Sequence, residues 1–274
     1  MKSPKVSILI PLYNHEKFIE DTLNSILEDE YNNKEIIVIN DGSTDNSDQI
    51  VNKWILKNKN IIDIKYTYRG NKGLHFTLNE LYKLSSGKYI INIASDDYLI
   101  NNTIKRRVNI LESNPSKLML IADCIVVDND NNILYDSASF ELHHGIKNNY
   151  FKDRRLRKEI LHNWATVGPS YMLNRDIYDV IGFYDSSIYL EDWDFAVRAI
   201  SKNLILFFDE KVAAYRLHET NTIKNCDAAI KFSQSCIDTI NKHSNKFGLI
   251  DRLRLKNKAR RLKRKINKLK KNNK

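Results

Sequence analysis

The chain has little of what breaks, staples or anchors a fold. Its 274 residues include 8 Gly, 4 Pro and 3 Cys. So little Gly and Pro argues against long low-complexity linkers. Cys124, Cys226 and Cys236 are odd in number and lack metal-ligand spacing, so they read as free thiols in a reducing cytosol. No apolar run is as long as the roughly 18 residues a transmembrane helix needs. The opening Met1-Lys2-Ser3-Pro4-Lys5 lacks a signal peptide's apolar stretch and cleavage site, and a cytoplasmic protein is expected. Two glycine signatures are also missing. No Gly-x-Gly-x-x-Gly follows the first predicted strand, and no Gly-x-x-x-x-Gly-Lys-Ser/Thr occurs. A dinucleotide-binding Rossmann site and a phosphate-binding P-loop are therefore not expected.

What is present begins with 42% hydrophobic residues, enough core for one large domain or two small ones. The net charge of +10 is unevenly placed. Residues 249–274 carry 13 Lys and Arg against the single acid Asp251, about +12, which leaves about −2 for residues 1–248. The basic character belongs to the tail, and the body is not a nucleic-acid surface by charge.

Four apolar segments each end in unusual residues. Val6–Ile10 leads to Pro11-Leu12-Tyr13-Asn14. Glu35–Asn40 leads to Asp41-Gly42-Ser43-Thr44-Asp45-Asn46-Ser47. Ile61–Tyr68 leads to Arg69-Gly70-Asn71-Lys72-Gly73, and Lys88–Ala94 leads to Ser95-Asp96-Asp97. Helical spacing fills the intervals, with Asn14 read as the cap of the first helix. Strands alternating with helices predict βαβ units and a parallel sheet, whose ligands bind beyond the carboxyl ends of the strands. Four unusual segments on one edge favour a ligand site there. Asp96 and Asp97 at the outlet of a buried strand are costly to desolvate without a positive partner. A divalent metal, Mn2+ or Mg2+, is the simplest one.

Val6–Asn14, Glu35–Ser47, Asn71–Gly73, Ser86–Ile90 and Ser95–Leu99 together resemble the nucleotide-sugar-binding half of family 2 glycosyltransferases, over about residues 4–220. The resemblance implies a GT-A fold: an α/β, Rossmann-like, mostly parallel central sheet flanked by helices, here with a C-terminal helical extension. It divides the chain into a transferase domain, 1–222, and an extension, 223–274. The domain holds a nucleotide-sugar half (about 1–98) and an acceptor half (about 99–222). By the same resemblance Tyr13 stacks on the base, Asp41 accepts its imide N–H, and Asp96 and Asp97 hold the ribose and the metal. Pro11, Asn14, Asn71, Lys72 and Gly73 complete the donor set. Many members carry Asp where this chain has Ala94, so which of the two acids meets the ion stays open.

Further along, Asn101 and Asn174 read as helix caps, and Leu118–Val127 as a strand ending in a turn at Asn129–Asn132. Tyr135–Trp164 is an irregular insert whose His143-His144 has no matching carboxylate. Leu204–Phe208 and Val212–Tyr215 read as two strands. Leu190–Ala199 opens a helix with three acids, Glu191, Asp192 and Asp194, where the macrodipole favours them. The resemblance makes Asp192 the catalytic base, with Glu191 as the alternative base or a contact to the acceptor; Arg198 is read as pairing a nearby acid in a structural role. The resemblance also gives His218 as a ligand of the metal or diphosphate.

In the tail Leu255, Ala259, Leu262, Ile266 and Leu269 recur at spacings of four, three, four and three, one narrow apolar stripe among Lys and Arg. Three readings are open: contact with an anionic membrane surface on the inner face of the cell membrane, a coiled-coil seam that makes oligomers, or a frayed basic terminus. The function expected is inverting, metal-dependent transfer of a hexosyl or N-acetylhexosaminyl group. The donor is a nucleotide-sugar, best guessed as UDP-linked. The acceptor is a glycan or lipid-linked hydroxyl in bacterial surface polysaccharide or glycoconjugate synthesis. The alternative is an inactive nucleotide-sugar-binding assembly protein.

Overall fold

A computed structural model describes residues 3–218 and 226–272. The first half runs β1 (Val6–Leu12), α1 (Ile19–Glu28), β2 (Lys34–Asn40), α2 (Ser47–Asn58), β3 (Asp63–Tyr68), α3 (Leu74–Leu84) and β4 (Tyr89–Asn92). Then come β5 (Tyr98–Leu99), α4 (Ile104–Ser113), β6 (Met119–Val127), β7 (Ile133–Tyr135), α5 (Lys147–Tyr150) and α6 (Asp153–His162). The second half closes with β8 (Met172–Asn174), α7 (Ile177–Ile181), α8 (Glu191–Ser201), β9 (Ile205–Arg216), α9 (Cys226–His243) and α10 (Leu249–Asn272).

All the strands join one mixed sheet in the order β3-β2-β1-β4-β8-β6-β9-β5, with β7 beside β6. The first four strands, β3-β2-β1-β4 in the sheet, are parallel throughout, as the alternation of strands and helices predicts. Past β4 the sheet mixes directions: β8 runs antiparallel to both β4 and β6, while β9 lies parallel to β6. Val6, Ile8, Leu9 and Ile10 are wholly buried because helices cover both faces. Ile8 and Ile10 point into the layer under α1, α2 and α4, and Leu9 points into the layer on the opposite face. Pro11 has no ladder donor. It falls past Leu9, the last β1 residue paired with β4, where no donor is required on that side.

Several local readings change. Asn14 is not a helix cap, since α1 begins at Ile19 after Phe18. Asn14 instead sits in the left-handed region at φ 53°, which Asn tolerates better than most residues, and its Oδ1 accepts the Thr44 N–H at 2.8 Å. Asn101 caps nothing either; α4 starts at Ile104 after Thr103. Asn174 closes a local turn by accepting the Asp176 N–H at 3.0 Å, and Asp176 precedes α7. The two late strands are one, β9, with register shifts near Asp123 that absorb the polar Asp209-Glu210-Lys211. The Tyr135–Trp164 insert holds a wide helical turn at Ala138–Leu142 as well as α5 and α6.

The tail is corrected most. Its apolar stripe does not face outward: Leu255, Ala259 and Ile266 are buried, and Leu262 packs beside them. They share one core with Trp193 and Phe195 of α8 and with Ile237 and Ile240 of α9. Lys258 on α10 lays its ammonium 4.4 Å from the Trp193 ring centre and donates to the Leu161 carbonyl at 3.0 Å. The C-terminal helices are thus packed onto the body of the chain. The expected boundary at residues 222/223 lies outside the described residues. No helix among the described residues is long and apolar enough to cross a membrane.

Candidate active site

The segments that end β1, β2, β3 and β4 converge on one edge of the sheet, and their side chains hold each other. The turn after β2 works as a clamp. Ser43 Oγ accepts the N–H of Asn14 (2.9 Å), Ser47 Oγ that of His15 (3.2 Å), and Asp45 Oδ2 that of Glu16 (2.9 Å). Asp41 binds the loop after β3. Its Oδ1 accepts the Lys72 N–H (2.8 Å) and pairs with the Arg69 guanidinium, and its Oδ2 accepts the Gly73 N–H (2.9 Å). Arg69 also reaches Glu80 (3.1 Å) and Thr77 (2.8 Å) on α3. Gly42 makes this approach feasible: at φ +80° a side chain there would bring a Cβ within 2.8 Å of the Asn71 nitrogen. Tyr13 stands 47% exposed at the rim of this edge.

The turn after β4 separates the two adjacent acids. Asp97 points inward and is 2% exposed, its Oδ1 accepting the Arg216 N–H at 2.9 Å. Burial, and then the charge of Asp96, push its carboxyl well above the usual carboxylate range, against the pull of Arg216. The Thr22 hydroxyl of α1 donates to the Asp97 carbonyl at 2.6 Å and fixes the turn. Asp96 points the other way. Its Oδ2 lies 2.8 Å from His218 Nε2, and its Oδ1 lies 3.7 Å from His15 Nδ1. Burial disfavours the Asp96 carboxylate, but the His218 hydrogen bond and the two imidazoles outweigh it and hold its pKa low. Burial lowers the His15 pKa, against the opposing charge of Asp96.

His15, Asp96 and His218 place one potential ligand atom each within 4.8 Å of one another. Asp96 Oδ1 is buried with no hydrogen-bond partner among the described residues. An orphaned carboxylate oxygen between two imidazoles fits a divalent cation of the kind expected for this fold. Asp97 does not join the cluster, so of the two acids it is Asp96 that the geometry presents to an ion. His218, expected from the resemblance as a metal or diphosphate ligand, stands in this cluster beside Asp96. His15 was missed, because a lone His after Tyr-Asn reads equally well as turn chemistry.

The second group lies at the start of α8. Leu190 N–H is held by Ser235 Oγ of α9 at 2.7 Å, which sets the helix start. Burial pushes Glu191 up to about 7. Burial, then the charge of Glu191, push Asp192 up to about 7, partly offset by hydrogen bonds from the Trp193 N–H and the Trp164 side chain. Asp194, by contrast, is structural. It pairs with Arg198 (2.8 Å) and with His243 of α9 (2.9 Å), and Arg198 also donates to the Ile181 and Gly182 carbonyls. His75 on α3, also unforeseen, lies 2.5 Å from the Ile188 carbonyl and 3.9 Å from Glu191, bracing the segment before α8.

The two groups flank one region. Burial raises the Tyr215 pKa, and the charges of Asp97, Asp96 and Asp192 all add to it, so this one residue feels both. Asn92 at the end of β4 donates to Tyr184 Oη (2.9 Å), and Tyr184 in turn feels the charge of Glu191.

A mixed sheet with donor-type turns at the strand outlets, and a carboxylate pair on a helix across from them, is the GT-A arrangement. The family described as glycosyl transferase family 2 matches residues 7–182, and the chain belongs to that family. The match ends before Glu191 and Asp192. The chain is 28% identical over 228 residues to an uncharacterized glycosyltransferase of Rickettsia typhi, covering 80% of this chain and 66% of that relative, just under two thirds. Among solved structures it is similar in fold to TarS (residues 1–349) of S. aureus in complex with UDP-GlcNAc. The TM-score is 0.65 at 20% identity, over 86% of this chain and 66% of that one. It is likewise similar to the mannosyltransferase PcManGT of Pyrobaculum calidifontis in complex with GDP-Man and Mn2+. There the TM-score is 0.65 at 15% identity, over 90% and 66% of the two chains.

Proposed function

We propose that the protein transfers a sugar from a nucleotide-sugar, with a uridine diphosphate leaving group, to a hydroxyl of a glycan or lipid-linked acceptor, inverting the anomeric carbon. The observation that carries this is the pairing of an ionised, cation-ready Asp96 with an Asp192 poised near 7 on the facing helix. The fold relatives that hold UDP-GlcNAc and GDP-Man support the donor class. Both Asp41 oxygens already serve the 69–73 loop, but Oδ2 has one partner and two lone pairs, so it can still accept a base N–H. Tyr13 offers its exposed ring to the base, and Pro11, Asn14, Asn71, Lys72 and Gly73 form the surrounding walls.

Asp96 and His218 would hold a divalent ion, which when bound would supply Lewis-acid stabilisation of the diphosphate leaving group. The acceptor hydroxyl is a weak nucleophile at neutral pH. Asp192, ionised above about 7, takes its proton as the new bond forms, and Glu191 beside it orients the acceptor. A single displacement of this kind inverts configuration. Metal-dependent hydrolysis of one member of a nucleotide-sugar panel would support this reading, and no turnover or binding of any member would refute it.

The synthesis of a surface polysaccharide or glycoconjugate at the inner face of the membrane is the setting this chemistry suits. With the tail's apolar stripe turned inward, membrane contact rests on exposed basic residues of α10 together with Leu249, Ile250 and Leu253, which are 72%, 63% and 53% exposed. Co-sedimentation with anionic but not neutral liposomes tests this.

A further inference from the structure

We propose that His15 is a working ligand of the cation site, and that the resulting two-imidazole, one-carboxylate set makes this protein prefer Mn2+ and Co2+ strongly over Mg2+. The inference rests on the cation role given above to Asp96 and His218, and goes beyond it in the third ligand and in the choice of ion.

His15 is held in place from three directions. The clamp after β2 fixes the backbone on either side of it through Ser43, Ser47 and Asp45. The left-handed Asn14 just before it turns the chain inward. Phe18 stacks on the His218 ring (5.2 Å, 28°) and meets the His15 ring edge-on (6.1 Å), so one aromatic side chain orders both imidazoles. The two imidazoles themselves meet edge-on at 5.7 Å. Rigid placement of this kind is what a ligand set needs and what a surface turn does not.

The orphaned atom is the second observation. Asp96 is 8% exposed, and its Oδ1, the oxygen on the His15 side, has no hydrogen-bond partner among the described residues. His15 Nδ1 stands 3.7 Å away, beyond hydrogen-bond reach, and contacts Ser95 Oγ at 2.8 Å instead. A buried carboxylate oxygen left unpaired is destabilising, and a cation between Oδ1 and the imidazole removes that cost. Two ligands on one ion with bonds of about 2.1 Å lie at most about 4.2 Å apart. A cluster spanning 4.8 Å therefore needs to contract by at least about half an ångström, and by more where its widest pair is not opposite across the ion.

The donor set fixes the preference. Mg2+ is hard, takes oxygen ligands and dehydrates reluctantly. Imidazole nitrogen favours the later first-row ions, and affinity rises from Mn2+ to Co2+ along the divalent series. Asp97, the extra carboxylate that would have suited Mg2+, is turned away onto the Arg216 N–H.

The test uses the full chain, metal-free, with Mn2+ alone as probe. Wild-type protein should bind one Mn2+, pulsed electron paramagnetic resonance should show nitrogen couplings from two imidazoles, and Mg2+ should displace it only at more than about a hundredfold excess. His15→Ala and His15→Gln should weaken Mn2+ at least about tenfold, the scale of losing a supporting group. Both should retain one nitrogen coupling and leave Mg2+ affinity almost unchanged. Mn2+ bound equally by wild type and both variants, or one imidazole coupling in the wild type, would overturn the role of His15 while leaving the cation role of Asp96 intact. No Mn2+ binding by the wild type would overturn both.

Discussion

Asp192 should write its environment into the pH dependence of turnover. Its carboxyl ordinarily loses a proton near 3.8; burial, and then the adjacent Glu191, raise it to about 7. Only the ionised form can accept a proton from the acceptor. The sign follows: kcat/KM is low in acid, rises as pH passes through about 7, and is level above it. For a single required ionisation the loss is about tenfold per pH unit below that midpoint, so about a hundredth of the plateau survives two units lower. The assay is initial rate from pH 5 to 9 with Mn2+ saturating and donor and acceptor held well below saturation, so that kcat/KM is read at every point. Imidazole ligands could give a similar rising limb, so Glu191→Gln is the decisive companion. It removes the like charge beside Asp192 but keeps the burial, and should move the midpoint toward acid. Glu191 is not among the charges that act on His15. A profile flat down to pH 5, or a midpoint unmoved by Glu191→Gln, would refute the reasoning.

Three further outcomes follow from the same geometry. Glu35 is wholly buried and serves Lys5, Ser7 and Ser86 at once. Burial opposes its charge, but these partners lower its pKa from 4.5 to about 2. Because the folded value lies below the unfolded one, about 3 kcal/mol of stability is present above pH 4.5 and is lost as pH falls toward 2. Glu35→Gln should flatten that loss in urea titrations at several pH values. Gly42→Ala should strain a φ of +80° and push Asn71 outward, weakening donor binding in calorimetry more than it lowers the melting temperature. Ending the chain at residue 248 should uncover the core behind α8. The lost burial of Leu255 and Ile266 alone is about 5 kcal/mol, read as a lower urea midpoint; an unchanged midpoint would count against the packed tail.

The nucleotide half was largely legible from the sequence because it obeys local rules. Apolar runs such as Glu35–Asn40 can only be buried strands, and alternation with helices leaves a parallel sheet as the economical pairing. The turn residues after them could be located but not assigned. Asn14 satisfies every requirement of a helix cap, yet its oxygen serves Thr44, a partner thirty residues away that no local pattern reveals. The adjacent acids were equally ambiguous. Their opposite orientations depend on Arg216, which belongs to the far strand β9 and donates its N–H to Asp97. The tail was misread for a related reason. A narrow apolar stripe says that something covers it, but not whether the cover is a membrane, a second copy or the body of the same chain. Here it is the body, with Trp193 and Ile237 in the same core. The near-neutral values of Glu191 and Asp192 also come from tertiary burial, and against them the macrodipole, visible in the sequence, is the weaker effect.

The division of labour between a donor-holding edge and a proton-accepting Asp192 is tested most directly by Asp192→Asn. The substitution keeps size and removes only the base. With the donor identified from the nucleotide-sugar panel, calorimetry and turnover are measured on the same metal-loaded preparation. The account predicts donor affinity within about twofold of wild type and transfer reduced by about 10²–10⁴-fold, the range a positioned base contributes. Transfer by Asp192→Asn at near wild-type rate, with donor binding intact, would contradict it.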